Sequence, residues 1–128
     1  MSFDRQAMAD ALVGALSTAL GETAMVFGSP PSTFNPPAVV IGFPTTVVLH
    51  SPAFAVDTCT VPVLCTAGVA DTTGLDQLMS TVSACLDVTG SFPPDVIVLG
   101  PSEWRNWRIL TVAGIDMLAA DIVTEIRM

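Results

Sequence analysis

Leu75, Leu78, Met79, Val82 and Leu86 recur at helical spacing, and no other stretch of the chain keeps its period so cleanly. Such a stripe has to be buried against something, and the neighbouring segments are not helical. Upstream, Ala38–Gly42 is a compact apolar strand, and Thr45–His50 and Phe54–Thr66 are rich in Val and Thr. Downstream come Asp95–Leu99, Trp104–Val112 and Met117–Met128, all strand-like. A second helical period, Met8, Leu12, Leu16 and Leu20, predicts a helix over Phe3–Leu20, with Gly21 as its stop. The order is helix, strands, helix, strands. It predicts an α+β fold, with two main helices packed on a mostly antiparallel sheet.

The punctuation between these segments sets further expectations. Ala24–Phe27 reads as a short first strand. Gly28–Pro37 holds Ser-Pro-Pro and Asn-Pro-Pro, so it predicts an exposed loop or extended arm. Asp71 or Thr72 is placed to cap the mid-chain helix. Apolar parity switches near Asp57–Thr58, which suggests a bulge there. Pro62 argues for an edge strand, because proline cannot donate to a ladder. Ala113–Asp116 reads as the turn of a closing hairpin, with Gly114 supplying the reversal. At 128 residues the chain has room for one core, so a single domain over residues 1–128 is expected.

Charge narrows the class of function. Only 12% of residues are charged while 51% are hydrophobic, against the ~25% charged of an ordinary soluble domain. With so little charge to cover its surface, the chain should keep apolar area exposed for contact with other subunits. The apolar runs are short and broken, so no membrane span is expected. Met1–Arg5 lacks the basic leader of a signal peptide, which points to a protein made in a cytosol. Cys59, Cys65 and Cys85 are odd in number and show no C-x-x-C spacing, consistent with buried thiols. Four Arg and no Lys stand against twelve acids, a formal net charge of −8. Binding to phosphates requires cations, so the chain should let DNA pass without holding it.

Little in the sequence points to chemistry. The one histidine, His50, has no companion at metal-ligand spacing. No nucleophile elbow, phosphate loop or dinucleotide fingerprint occurs. The acids Asp57, Asp71, Asp76, Asp87, Asp95, Asp116 and Asp121 mostly border turns or helix starts. The expectation is a non-enzyme with no catalytic residues, cofactor or metal.

One cluster stands out. Trp104-Arg105-Asn106-Trp107-Arg108 holds both tryptophans and half the arginines of the chain. On a regular strand Trp104, Asn106 and Arg108 would face one way, and Arg105, Trp107 and Ile109 the other. Trp and Arg are frequent anchors of protein interfaces, so Trp104, Arg105, Trp107 and Arg108 form a candidate subunit interface. Intramolecular packing with stacked cation–π pairs and a single-stranded nucleic-acid platform are the other readings of the same residues.

The pattern as a whole resembles the tail terminator proteins of long-tailed phages with non-contractile (siphovirus-type) tails, especially those of actinobacteria. The likeness rests on the leading helix Ala7–Leu20, the strand Pro37–Gly42 after a proline-rich loop, the helix Leu75–Leu86 and the closing hairpin Trp107–Asp121 with its Ala-Gly-Ile-Asp turn. It implies a virion protein of the tail and neck region, assembled in the host cytoplasm. That protein would form a homohexameric ring on the head-proximal end of the tail tube, ending its polymerisation. Its partners would be other copies of itself, the tail tube protein and the head-tail connector or stopper, with DNA passing through the lumen. The alternatives are another neck or tail subunit, such as a head-tail stopper or tail tube protein, or a small cytosolic ligand-binding domain or enzyme.

Overall fold

The computed structural model describes residues 5–48, 58–87 and 97–127. Helix α1 (Arg5–Leu20) is followed by strands β1 (Met25–Phe27), β2 (Ala38–Ile41), β3 (Thr46–Val48) and β4 (Thr58–Gly68). Helix α2 (Thr72–Asp87) then precedes β5 (Ile97–Val112) and β6 (Ile115–Arg127). The strands form one sheet in the order β1-β2-β4-β6-β5, with β3 also paired to β4. The β1–β2 pair is parallel and every other pair antiparallel. This is the expected α+β architecture. His50 and the expected bulge position Asp57 lie outside the described residues.

Both helices end or start where the sequence places the signal. At the end of α1, Gly21 adopts φ +58° and its N–H reaches the Ser17 carbonyl at 2.9 Å, a left-handed cap that favours glycine. At the start of α2, Asp71 is the cap: its carboxylate accepts the Gly74 N–H at 2.9 Å and its carbonyl accepts the Leu75 N–H at 3.1 Å. The helices cover one face of the sheet. Met8, Leu12 and Leu16 from α1 and Leu75, Met79, Val82 and Leu86 from α2 pack on Val39, Ile41, Val61, Val63, Cys65, Ile122 and Ile126. Alternation along β2, β4 and β6 sends the intervening residues, among them Val40, Leu64 and Asp121, to the helix-free face.

Two expectations about where the strands lie need correction. Pro62 does not mark an edge: β4 is central, flanked by β6 on one side and by β2 and β3 end to end on the other. Its carbonyl accepts the Gly42 N–H at 2.9 Å. A strand residue turns its N and its C=O to the same side, so the missing N–H faces the gap between the end of β2 and the start of β3. The β4–β6 register runs through Pro62↔Val123 without a shift. The second correction concerns the segments Asp95–Leu99 and Trp104–Val112. Their described parts, from Ile97 on, belong to one strand, β5, whose register on β6 shifts at Val98/Gly100, Pro101/Glu103 and Arg105/Arg108. Gly100 takes φ +110° at the first of these.

The proline-rich connection from β1 to β2 turns back over the helix-free face. Phe34 sits 6.0 Å from Phe27, ring centre to ring centre. Pro30, Pro31 and Phe34 form one wall of a groove of about 310 Å³ whose floor includes Leu64 and Asp121 and whose other wall includes Leu110 and Val112. The closing hairpin is tight. Val112 pairs with Ile115 across Ala113 and Gly114, both at positive φ (51° and 82°), the signature of a type I′ turn. The turn is two residues rather than the four read from the sequence.

Candidate functional site

The Trp-Arg cluster lies on β5, the outermost strand of the sheet. Its geometry follows from one irregularity. Arg105 pairs with Asp121 and Arg108 with Ala119, so two residues of β5, Asn106 and Trp107, oppose one of β6, Ala120. Asn106 absorbs the extra length at φ 61°. The bulge breaks the alternation expected from the sequence. Trp104 stands opposite core residue Ile122, and its indole N–H donates to Ser83 Oγ of α2 at 2.8 Å. Trp107, expected on the opposite side, lies 6.4 Å from Trp104 between ring centres. It lines a cleft of about 420 Å³ with Thr72, Leu75, Asp76, Ile109 and Leu118. Both tryptophans therefore stand at the α2 flank.

The arginines part company. Arg108 lies 3.6 Å from Asp121, a carboxylate whose side chain is only 12% exposed. The same guanidinium donates to the Asn106 carbonyl at 2.7 Å, and the Asn106 amide donates to the other Asp121 oxygen at 3.1 Å. Arg108, Asn106 and Asp121 close into a clasp across the bulge, within one chain. Arg105 contacts Glu103 at 3.4 Å, both about half exposed, an arrangement that contributes little in water. The cation–π contact found among the described residues joins Arg5 to Phe43 at 5.3 Å and involves neither tryptophan.

What remains outward is apolar. Trp107 is 54% and Ile109 64% exposed, and Trp104 and Ile115 are exposed beside them. The hairpin's parity adds unpaired backbone. Val112 and Ile115 flank the two-residue turn and exchange hydrogen bonds, so Leu110 and Arg108 also face β6 while Ile109 and Thr111 turn theirs to the open edge. From Trp107 to Ile115 the one charge is Arg108, already matched by Asp121. Among the described residues the surface is apolar, nearly neutral and has hydrogen-bonding groups turned to the open edge.

The sequence reading gave no role in organising the cluster to Asn106, Asp121 or Ser83, the three partners that hold it. A signal was present for Asp121, a lone acid inside the apolar run Leu118–Val123. A second lay in the spacing of Trp104 and Ile109. They are five positions apart, so both reach the helix face only if a residue bulges between them.

The three cysteines are set up for inertness. Burial pushes the Cys59 thiol up to about 11 and that of Cys65 up to about 12, where the nearby Asp121 charge adds to burial. Burial raises Cys85 as well. A thiol held neutral is a poor nucleophile and metal ligand. Among the described residues no three His, Cys, Asp or Glu side chains gather closely enough to hold a metal, and no helix is long and apolar enough to cross a membrane.

No protein-family model matches this chain, and no curated protein matches it. Its fold is similar to that of a chain in the virion of a native gene transfer agent particle. The TM-score is 0.60 at 17% identity, covering 95% of this chain and 92% of that one. At that identity the likeness is one of fold, and it runs nearly end to end in both chains.

Proposed function

We propose that this protein is a structural virion subunit, not an enzyme, acting as one domain over its whole length. In this reading it is the tail terminator: a ring, most simply of six copies, that caps the head-proximal end of the tail tube, stops its growth and joins the tail to the head-side connector. The observation that carries the class is the fold shared nearly end to end with a chain of an assembled virion particle. The narrower role rests on the sequence resemblance described above. The edge of β5 supports assembly, because an exposed, almost uncharged apolar strand is a surface that subunits bury. Trp104, Arg105, Trp107 and Arg108 sit at or beside that contact, with Trp107 and Ile109 as the contacting side chains and Arg108 held by its own chain. The excess of acids over Arg suits a lumen through which DNA moves without being held.

Removal of the protein from a producing particle tests both levels of the claim. Loss of a terminator gives tails of abnormal length that do not join heads. Finished tails of normal length without heads would assign it to the stopper instead, and absence of tail tubes would assign it to the tube. Normal particles with no copy of this chain in the neck would overturn the virion reading.

A further inference from the structure

We propose that Asp121 is a positioning residue: through Arg108 and Asn106 it fixes the β5 bulge and so determines which side of the sheet Trp107 presents. The consequence for assembly rests on the reading of the Trp107 flank as a contact surface, whereas the positioning itself does not. Asp121 is 8% exposed and lies in a strand otherwise packed with Ala119, Ala120, Ile122 and Val123. It faces a groove walled by Phe34, Leu110 and Val112. Burying a carboxylate there is costly, and an apolar side chain of similar size would pack with less penalty. The residue makes sense through what it holds. One carboxylate oxygen faces the Arg108 guanidinium and the other accepts the Asn106 amide; Asn106 takes the bulge conformation and Arg108 is where regular pairing resumes. Without the bulge a one-residue slip would exchange the faces of the whole hairpin arm. Arg108 would stand opposite Leu118, at the cleft beside α2, and Trp107 would move to the helix-free face. The clasp makes that exchange unfavourable, since Arg108 would leave the Asp121 carboxylate.

The experiment uses the full chain in a Trp104→Phe background, where Trp107 is the sole tryptophan. Asp121→Asn should lower the melting temperature, since it removes the charge that holds Arg108 across the bulge. It should also change the acrylamide quenching of Trp107 by about 1.5-fold or more as the bulge loosens. The deciding variant replaces both partners, Arg108→Met with Asp121→Leu, and restores the melting temperature to within about 2 °C of the parent. If Asp121 positions Trp107, quenching stays altered in this stable protein. Parental quenching in the double variant would overturn the proposal, because the pair would then act on stability alone. These readouts are taken on the isolated chain, so they stand or fall separately from the virion reading. That reading is tested by whether the same stable double variant still completes tails.

Discussion

The Cβ that Gly42 lacks would stand 2.8 Å from the Pro62 carbonyl oxygen and 2.9 Å from its ring Cγ. That approach seals the gap between β2 and β3, and the oxygen it would strike already accepts the Gly42 N–H. Backbone cannot yield as a flexible side chain does. Gly42→Ala should therefore destabilise by about 1–3 kcal/mol through overpacking. Gly14 is the control: it lies on the exposed face of α1 with nothing within 4 Å of an added Cβ. There Gly→Ala should stabilise by about 0.5–1 kcal/mol. Urea unfolding of the two variants checks the opposite signs.

Asp71 and Gly74 form a second coupled pair. An added Cβ at Gly74 would overlap the Asp71 carboxylate that caps α2. Asp71→Ala should cost about 1 kcal/mol, and Gly74→Ala should cost a similar amount by displacing the cap despite the better helix propensity of alanine. Because both lose the same interaction, the double variant should cost clearly less than the sum. Strict additivity in a double-mutant cycle would show that Gly74→Ala does not act through the Asp71 cap.

Much of this architecture was legible because its signals are local. The α2 stripe, the Asp71 cap, the Gly21 stop and the Gly114 turn each depend on residues within a few positions of one another. Pro62 was misread because the break that accommodates it lies in the opposing chain some twenty positions away, which no local pattern reveals. The Trp-Arg cluster was found by composition, but its faces were reversed at Trp107 because alternation presumes a regular strand. Asn106 at φ 61° and a buried partner on β6 made it irregular. Asp121 looked like one more scattered acid, because the cost of burying it shows only once Phe34 and Leu110 are known to wall its groove.

The cysteines give a pH-dependent prediction. With Cys59 and Cys65 raised to about 11 and about 12 from an ordinary 9.0, the folded state keeps both thiols protonated after the unfolded chain has lost those protons. Their contribution to stability is full below pH 9 and declines as pH rises from there through 11–12. Thiol-disulfide reagents at pH 8 should leave both residues unlabelled in the native protein and label them fully in urea. Rapid native labelling of Cys65 would contradict its burial.

Affinity for DNA, single-stranded or duplex, should be negligible at physiological salt, given four Arg against twelve acids. One of those Arg, Arg108, is already matched by Asp121. A filter-binding assay giving micromolar affinity with a steep salt slope would overturn this and revive the nucleic-acid reading of the Trp-Arg cluster.

The two arginines of the cluster should separate in both folding and assembly. Arg105→Ala removes an exposed contact with Glu103 and should change stability by less than about 0.5 kcal/mol. Arg108→Ala leaves the Asp121 carboxylate buried without its charge partner, so it should destabilise measurably and perturb the β5 edge. The outward residues behave in the opposite sense. Trp107 and Ile109 are more than half exposed, so Trp107→Ser with Ile109→Ser should leave the monomer's melting temperature nearly unchanged. If copies of the chain meet along this edge, the same double variant should fail to complete tails, giving tubes of abnormal length. Thermal melting beside electron microscopy of the particles separates the outcomes. A stable variant with normal infectious particles would remove Trp107 and Ile109 from the contact surface. It would leave the cluster as a clasp of the chain's own sheet.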